Sequence, residues 1–357
     1  MRADDLWKVS TGKGVTVAVL DTGVDPTAAE IRGRVLKGKD FYNSPPDAGR
    51  DTNGHGTNMA ISIAGSGAQG GLKGLAPDAR ILPVTVLKDK VSIGAGKAAA
   101  KGIRYAADSD ARIINLSMGG HAHGTDRAAE EAAVKYALKK GKLVFASTGN
   151  DGEDRVEFPA AIPGVVAVGA VGTNGKVSKF SNTGRQVVLA APGEETPLHC
   201  TESEGEYCEG RGTSVATALA SASAALIWSK HPDWTANQVL RVMIETAGHN
   251  GPVPSKYIGY GTVRPAQVLL EGKGDPGDPD VNPLLAERQE ESPKPSGSPD
   301  SAKKQDGEDA QSQPQQEKAA NEADGNRTLW IVAGAGAAVV IVVGAVLAVR
   351  ARNRRVA

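Results

Sequence analysis

The sequence has no excess of charge of either sign and almost no cysteine. It carries 41 basic and 41 acidic residues, so the formal net charge is zero. This balance gives no reason to expect a nucleic-acid partner.

Only Cys200 and Cys208 occur, and they are either two free thiols in a loop or a disulfide that pins a hairpin-like loop. The second arrangement would require an oxidising compartment.

Residues 1–271 alternate apolar runs of strand length with alanine-rich helical stretches. The apolar runs are unbroken, which is typical of strands that are buried on both faces of a parallel sheet. We therefore predict an α/β domain with a doubly wound, mainly parallel sheet. The predicted strands are 15–20, 81–87, 113–118, 143–146 and 165–171, and the predicted helices are 55–64, 93–107, 126–140 and 213–230.

Three short motifs supply the groups that make a serine nucleophilic. Asp21 lies in Val-Leu-Asp-Thr-Gly-Val-Asp, His55 in Asn-Gly-His-Gly-Thr, and Ser214 in Gly-Arg-Gly-Thr-Ser-Val-Ala. In such a set the imidazole takes the serine proton, and the carboxylate orients the imidazole and stabilises its charged form. Asp21 ends the first predicted strand, where open α/β sheets place their active sites. We predict that these three residues are catalytic.

The Asp-Thr-Gly tripeptide also occurs around the catalytic aspartates of aspartic proteases. That chemistry needs a second, equivalent aspartate to share a proton with the first. No other Asp-Thr-Gly or Asp-Ser-Gly occurs in the chain, and the alternative leaves His55 and Ser214 unexplained.

The order Asp, His, Ser and the three motifs resemble the subtilisin-like serine proteases over about residues 6–270. The resemblance implies a subtilisin-like fold and hydrolysis of peptide bonds through an acyl-enzyme. In Ala-Ser-Thr-Gly-Asn150 it implies that the asparagine side chain stabilises the oxyanion. In Asn-Leu-Ser-Met-Gly-Gly it implies a strand that pairs with substrate, opposite a second wall of the S1 pocket. The implied substrate-binding residues are Ser117, Met118, Gly119, Ser147, Thr148 and Gly149.

Some positions differ from the usual pattern of that family. Asn58 stands where a histidine is frequent, and Ala218 stands where a proline starts the family's helix; neither change removes a catalytic group. No loop rich in Asp or Asn resembles the family's strong calcium site, so we expect no metal and no cofactor. His121 and His123 have no Cys or carboxylate partner placed to complete a metal site, and we interpret them as surface residues.

The rest of the chain predicts a tether and a membrane anchor. Residues 272–327 are rich in Pro, Gly, Ser and Gln, with thirteen acids and seven bases, which is typical of a disordered linker. Residues 328–349 are uncharged and long enough to span a bilayer as a helix. Four arginines lie in the tail 350–357, so the positive-inside rule predicts that this tail is cytoplasmic and the catalytic domain extracytoplasmic.

Taken together, these segments resemble the mycosins, the membrane-anchored subtilases of type VII secretion in actinobacteria. The resemblance implies a single-pass serine endopeptidase of the cell membrane that acts on extracytoplasmic or secreted proteins. The alternative is a structural subunit of a type VII secretion complex in which proteolysis is secondary. The N-terminal residues include no apolar signal segment, so we expect either a longer natural chain or, as a third possibility, a tail-anchored peptidase facing the cytoplasm.

Overall fold

The computed structural model of the protein describes residues 1–43, 46–88, 95–120, 124–200 and 207–290. The helices are α1 (Ala3–Trp7), α2 (His55–Ala64), α3 (Ala95–Asp108), α4 (Gly124–Lys139), α5 (Thr213–Lys230), α6 (Ala236–Glu245), α7 (Pro265–Leu269) and α8 (Pro283–Glu290), with a short 3₁₀ turn at Ala68–Gly70. The strands are β1 (Thr16–Asp21), β2 (Lys39–Asp40), β3 (Arg80–Thr85), β4 (Ile113–Leu116), β5 (Leu143–Ser147), β6 (Val166–Val171), β7 (Val187–Pro192), β8 (Thr196–His199) and β9 (Tyr207–Gly210).

Seven of these strands form one parallel sheet in the order β2-β3-β1-β4-β5-β6-β7. Every residue of β4, β5 and β6 is buried. Because successive side chains of a strand point to opposite faces, both faces of the sheet must be covered. The prediction of a doubly wound, mainly parallel α/β sheet is therefore confirmed for this domain.

Two pairs of helices pack on the sheet, α2 with α5 and α3 with α4. Helix α5 is buried along nearly its whole length from Thr213 to Trp228, and it contacts β4, β5, β6 and β7. A helix that is apolar or small on all sides is typical of such a central position. The burial of α5 holds its first turn, which contains Ser214, against the ends of the strands.

The strand order reverses between β1 and β4, which lie side by side although β2 and β3 separate them in the chain. Ligands of open α/β sheets bind at this kind of switch point, outside the carboxyl ends of the strands. Asp21 ends β1 and Ser117 follows β4 directly. The topology therefore brings the motifs of the first half of the chain to one edge of the sheet.

Two predicted strands end earlier than expected, for local reasons. The run 81–87 leaves the ladder after Thr85 because the N–H groups of Val86 and Leu87 both turn to the carbonyl of Asp21. The run 113–118 stops at Leu116, and the residues that follow it turn toward Ser214.

Residues 272–290 differ from the prediction that the linker starts at 272. The side chains of Thr235 and Asn237 donate hydrogen bonds to the carbonyl of Pro279, at 3.0 and 2.8 Å. Leu284 of α8 is buried against the domain. Polar side chains at the start of α6 thus donate hydrogen bonds to backbone carbonyl groups of a segment whose composition alone does not predict folding. The catalytic domain therefore extends at least to residue 290.

The remainder of the predicted linker, the predicted membrane helix 328–349 and the tail 350–357 lie outside the described residues. The described helices include none that combines the length and the apolar composition of a membrane span.

A buried carboxylate on α4 gives a prediction about stability and pH. Glu130 is 3% exposed, and its Oε2 atom has no hydrogen-bond partner among the described residues. Burial, together with the nearby Asp126, raises the pKa of Glu130 from 4.5 to about 7. Because the folded protein then holds this proton more tightly than the unfolded chain, the free energy of unfolding falls as the pH rises from about 4.5 to 7.

Glu130→Gln should therefore be more stable than wild type at pH 8, by at most about 3 kcal/mol, and nearly equal to it at pH 4. Urea unfolding at both pH values measures the difference. Glu131→Gln is the control, because Glu131 is exposed and pairs with Arg127. Equal stability of wild type and Glu130→Gln at pH 8 would contradict the prediction.

Candidate active site

Asp21 and His55, predicted to act together, are hydrogen-bonded. Asp21 is fully buried at the end of β1, and its Oδ1 atom lies 2.7 Å from Nδ1 of His55. The same oxygen accepts the backbone N–H of Thr22 at 2.8 Å. A carboxylate bound at Nδ1 holds that nitrogen protonated, which leaves Nε2 as the basic nitrogen of the ring. The side chain of His55 is about one-quarter exposed, so it can reach a substrate.

Gly56 allows the start of α2 to lie against the end of β1. A Cβ atom at this position would lie 2.1 Å from the carbonyl oxygen of Gly23 and 3.0 Å from Cβ of Asp21. Only glycine permits so close an approach. The glycine of the His-Gly-Thr motif thus sets the distance between Asp21 and His55.

Asp51 and Thr22 hold the same junction, and the sequence reasoning missed both residues. Asp51 accepts five hydrogen bonds, from the Thr22 hydroxyl, the backbone of Asn53 and Gly54, and the backbone and hydroxyl of Thr57. Thr22 in turn accepts the N–H of Gly56 at 3.0 Å. The available signal was an acid just before a helix start, where carboxylates bind free N–H groups.

Asp51→Asn should lower the free energy of unfolding by about 1–3 kcal/mol, because an amide nitrogen replaces an acceptor oxygen and leaves donors unpaired. Thermal unfolding measures the loss. The matched control is Asp47→Asn in the same loop, where one backbone N–H, that of Gly49, is bound to the Asp47 side chain. Equal effects of the two substitutions would count against the role assigned to Asp51.

Ser214 is the second residue of α5 and is bound to the end of β4. Its Oγ atom donates a hydrogen bond to the carbonyl of Ser117 at 3.0 Å, and the Ser117 hydroxyl donates to the carbonyl of Ser214 at 2.9 Å. Asn115 connects this pair to the middle of α5, donating to the Ser117 hydroxyl and accepting from Ser221, both at 3.0 Å. The position of Ser214 is therefore set by buried polar contacts across the sheet–helix interface.

Asn150 follows β5 and lies beside the residue that precedes Ser214. Its Oδ1 atom accepts the backbone N–H of Thr213 at 2.8 Å and the Thr213 hydroxyl at 3.0 Å. Since the amide oxygen is engaged by two donors, the amide NH₂ group is directed away from Thr213 and can donate to a ligand. This arrangement suits the predicted stabilisation of an oxyanion next to Ser214.

The six predicted substrate-binding residues follow two neighbouring strands. Ser117, Met118 and Gly119 come after β4; Ser147 ends β5, and Thr148 and Gly149 follow it; the two strands pair in parallel with Leu116 beside Ala146. The segment at Glu157 and Phe158 joins the two sets. The Glu157 N–H binds the Thr148 carbonyl at 3.0 Å, and the Phe158 N–H binds the Gly120 carbonyl at 3.1 Å.

A disulfide joins Cys200, the residue after β8, to Cys208 within β9, and the two strands pair antiparallel. The hairpin docks on α2 through Asn58, whose side chain accepts the N–H of His199 at 2.8 Å and donates to its carbonyl at 3.0 Å. His199 also lies 2.7 Å from the buried carboxylate of Glu30. Asn58, which departs from the family pattern, thus anchors the hairpin to the helix that carries His55.

The expectation of no metal stays a prediction. Within the described ranges no group of three or more His, Cys, Asp or Glu side chains is placed to hold an ion. His121 and His123 lie outside the described residues.

Comparison with known proteins agrees with this geometry. Residues 12–261 match the Subtilase family. The chain belongs to the subtilase family. It is 38% identical over 238 residues to the major intracellular serine protease of Bacillus subtilis, covering 64% of this chain and 73% of that protein. A second relative, the thermophilic serine proteinase of Bacillus sp. strain AK1, is 38% identical over 73% of this chain and 63% of its own length.

Solved mycosin structures are also similar to this subtilase. The crystal structure of MycP1 from Mycobacterium smegmatis superimposes with a TM-score of 0.68 at 28% identity, covering 78% of this chain and 85% of that one. Another structure, of a MycP1 serine protease described as an essential component of the type VII (ESX-1) secretion system, has a TM-score of 0.66 at 32% identity, over 75% and 86% of the two chains. The protein is thus a subtilisin-like serine protease that is similar to the mycosins.

Proposed function

We propose that Ser214 is the nucleophile of this protease and that Asp21, His55 and Asn150 assist it. The observation that carries the proposal is the 2.7 Å contact between buried Asp21 and Nδ1 of His55, which makes Nε2 of His55 a base. The Ser214 hydroxyl, which donates to the Ser117 carbonyl, turns to Nε2 when substrate binds, since catalytic hydrogen bonds often form fully only in the complex.

In the first step the Ser214 oxygen attacks the scissile carbonyl carbon, and its proton passes to His55. The carbonyl oxygen becomes an oxyanion, which the Asn150 amide and the Ser214 backbone N–H stabilise. When the C–N bond breaks, His55 gives the proton to the leaving amine and the acyl-enzyme remains. Water then attacks the ester carbon with His55 as base, and the acid is released with free Ser214.

An endopeptidase of this kind binds substrate as an extended strand along residues 117–119. The test is incubation of the full chain with an unfolded protein of known sequence, followed by mass spectrometry of the products. We expect internal cleavages, with new amino and carboxyl ends within the sequence. Removal of terminal residues alone, or no cleavage by folded protein, would contradict the proposal.

We further propose that the catalytic domain lies outside the cytoplasm, anchored by residues 328–349. Support comes from the uncharged sequence of that segment, the four arginines after it and the Cys200–Cys208 disulfide, which persists in an oxidising compartment. Protease added to intact cells should digest the domain and leave a C-terminal tag protected. Protection of the domain with digestion of the tag would reverse the assigned orientation.

The mycosin likeness supports a second candidate function, as a structural subunit of a type VII secretion complex. Cells that carry only Ser214→Ala distinguish the two functions. If these cells lose secretion or growth to the same extent as cells without the protein, proteolysis is the main function. If cells without the protein lose secretion while Ser214→Ala cells secrete and grow as wild type, the structural role is the main one.

A further inference from the structure

The two predicted walls of the S1 pocket follow neighbouring strands, because β4 and β5 pair in parallel. One wall is residues 117–119 and the other is residues 147–149, and we call the space between them the S1 slot. Glu157 and Phe158 bind backbone groups of Thr148 and Gly120, so this segment bridges the walls. The bridge therefore lies across both walls of the S1 slot.

The carboxyl group of Glu157 occupies the space between the glycines of the two walls. A Cβ atom added to Gly119 would lie 2.1 Å from Oε2 of Glu157, and one added to Gly149 would lie 2.8 Å from its Cδ atom. A side chain at Gly119 would displace this carboxyl group, and one at Gly149 would meet both the carboxyl group and the amide of Asn182, whose Nδ2 atom would lie 2.3 Å from the added Cβ. The two glycines thus leave room for a carboxylate between the walls.

The side chain of Glu157 shares a hydrogen bond with that of Asp151. Its charged neighbours are Asp151, Glu153 and Arg155, and Arg155 also pairs with Glu153 at 2.8 Å. Among the ion pairs of the described residues, none includes Glu157. Burial, with the repulsion from Asp151, raises the pKa of the Glu157 carboxyl to about 7. A partly buried carboxylate beside other carboxylates attracts a cation that can reach it.

We propose that Glu157 makes the S1 slot selective for lysine or arginine at P1, the substrate residue whose carbonyl Ser214 attacks. The proposal rests on the proposed function of Ser214 and adds the class of substrate. The aliphatic stem of a basic side chain packs between the glycine-containing walls, and its cationic end meets Glu157. An apolar P1 side chain would instead cover the carboxylate without giving it a partner.

The same carboxylate makes the selectivity depend on pH. Glu157 is protonated in half of the free molecules near its pKa of about 7 and ionised above it. The charged groups around it are Asp151, Glu153 and Arg155, together with Arg127, Arg185 and Lys256 on the wall of the cavity that Glu157 also lines. The preference for a basic over a neutral P1 residue should therefore increase from pH 6 to pH 8.5.

The test compares two peptide substrates that differ only at P1, one with lysine and one with leucine. At pH 8.5 the full chain should hydrolyse the lysine peptide with a kcat/KM about 10–100-fold higher, the effect expected of a hydrogen bond to a charged group. Glu157→Gln should reduce that ratio about tenfold or more while it keeps the shape of the slot. The control Glu271→Gln, at an exposed carboxylate that pairs with Lys273 and is not among the charged groups around Glu157, should keep the wild-type ratio.

A second measurement needs no variant and compares benzamidine with benzamide as competitive inhibitors. The cationic amidine should inhibit about tenfold or more strongly than the neutral amide of the same shape. Equal inhibition, or a preference for leucine over lysine at pH 8.5, would overturn the assignment of Glu157.

Fluorophosphonate labelling separates this failure from failure of the proposed function. If Ser214 is labelled in wild type and in Glu157→Gln while the lysine-to-leucine ratio is equal in both, the specificity proposal alone is wrong. If folded wild-type protein is not labelled, the proposed function is wrong and the slot is not a P1 pocket.

Discussion

Ser214→Ala should abolish peptide hydrolysis, with a loss in kcat of about 10⁶-fold, the size known for the nucleophile of subtilisin itself. Without the hydroxyl no acyl-enzyme forms, and the Asp21–His55 pair has no proton to move. The melting temperature should stay close to that of wild type, because the hydrogen bond lost is one to the Ser117 carbonyl at the partly exposed end of α5. Initial rates with a peptide substrate, together with thermal unfolding, measure both effects.

The matched control is Ser223→Ala in the same helix. The Ser223 hydroxyl is buried and donates to the carbonyl of Leu219 at 2.8 Å, so its removal changes a hydrogen bond but no reacting group. We expect activity within a few-fold of wild type. Wild-type activity of Ser214→Ala would contradict the assignment of the nucleophile, and equal losses in both variants would indicate a general effect on α5.

Asn150→Asp should lower kcat by at least about 10²–10³-fold, the range known for loss of the corresponding donor in subtilisin. The aspartate keeps an oxygen to accept the Thr213 N–H and hydroxyl, but it has no N–H for the oxyanion. Because the oxyanion exists only near the transition state, KM should change little. Steady-state kinetics with one peptide substrate measures both parameters.

Asn150→Ala serves as the comparison, because it removes the acceptor as well as the donor. It should lose kcat similarly and also lower the free energy of unfolding by about 1–3 kcal/mol, since the backbone N–H of the fully buried Thr213 then lacks its acceptor. If Asn150→Asp raises KM and leaves kcat unchanged, the side chain binds substrate in the ground state and the oxyanion assignment is wrong.

The sheet and its order of motifs could be predicted because the signals are local. Unbroken apolar runs such as 113–118 and 143–146 fix parallel buried strands, and Asp21 is at the end of the first of them. The sequence analysis missed strand β7, although Val187–Ala191 is apolar. The run is short, and only the structure shows that it pairs with β6. The two-residue strand β2 has no sequence signal of its own.

The contacts that position the site could not be predicted, because they join residues far apart in the chain. Ser117 and Ser214 are 97 positions apart, and Asn58 and His199 are 141 apart. Nothing near Asn58 indicates that it will anchor a hairpin, so its departure from the family pattern had no explanation. The place of Glu157 between Gly119 and Gly149 is likewise a product of three segments meeting.

The C-terminal boundary shows a different limit of composition. Residues 272–290 have the Pro, Gly and acidic content of a linker, yet their carbonyl groups find donors on α6. A segment with few apolar residues can be ordered when a neighbouring surface satisfies its backbone. Composition predicts whether a segment folds in isolation, and it carries no information about the neighbouring surface.

The most direct test of the central claim, an assembled and activated Ser214, is fluorophosphonate labelling of the full chain followed by peptide mass spectrometry. The account predicts one adduct per chain, on the peptide that contains Ser214, and no adduct on folded Ser214→Ala. Absence of labelling in folded wild-type protein, or an adduct that persists in Ser214→Ala, would contradict it.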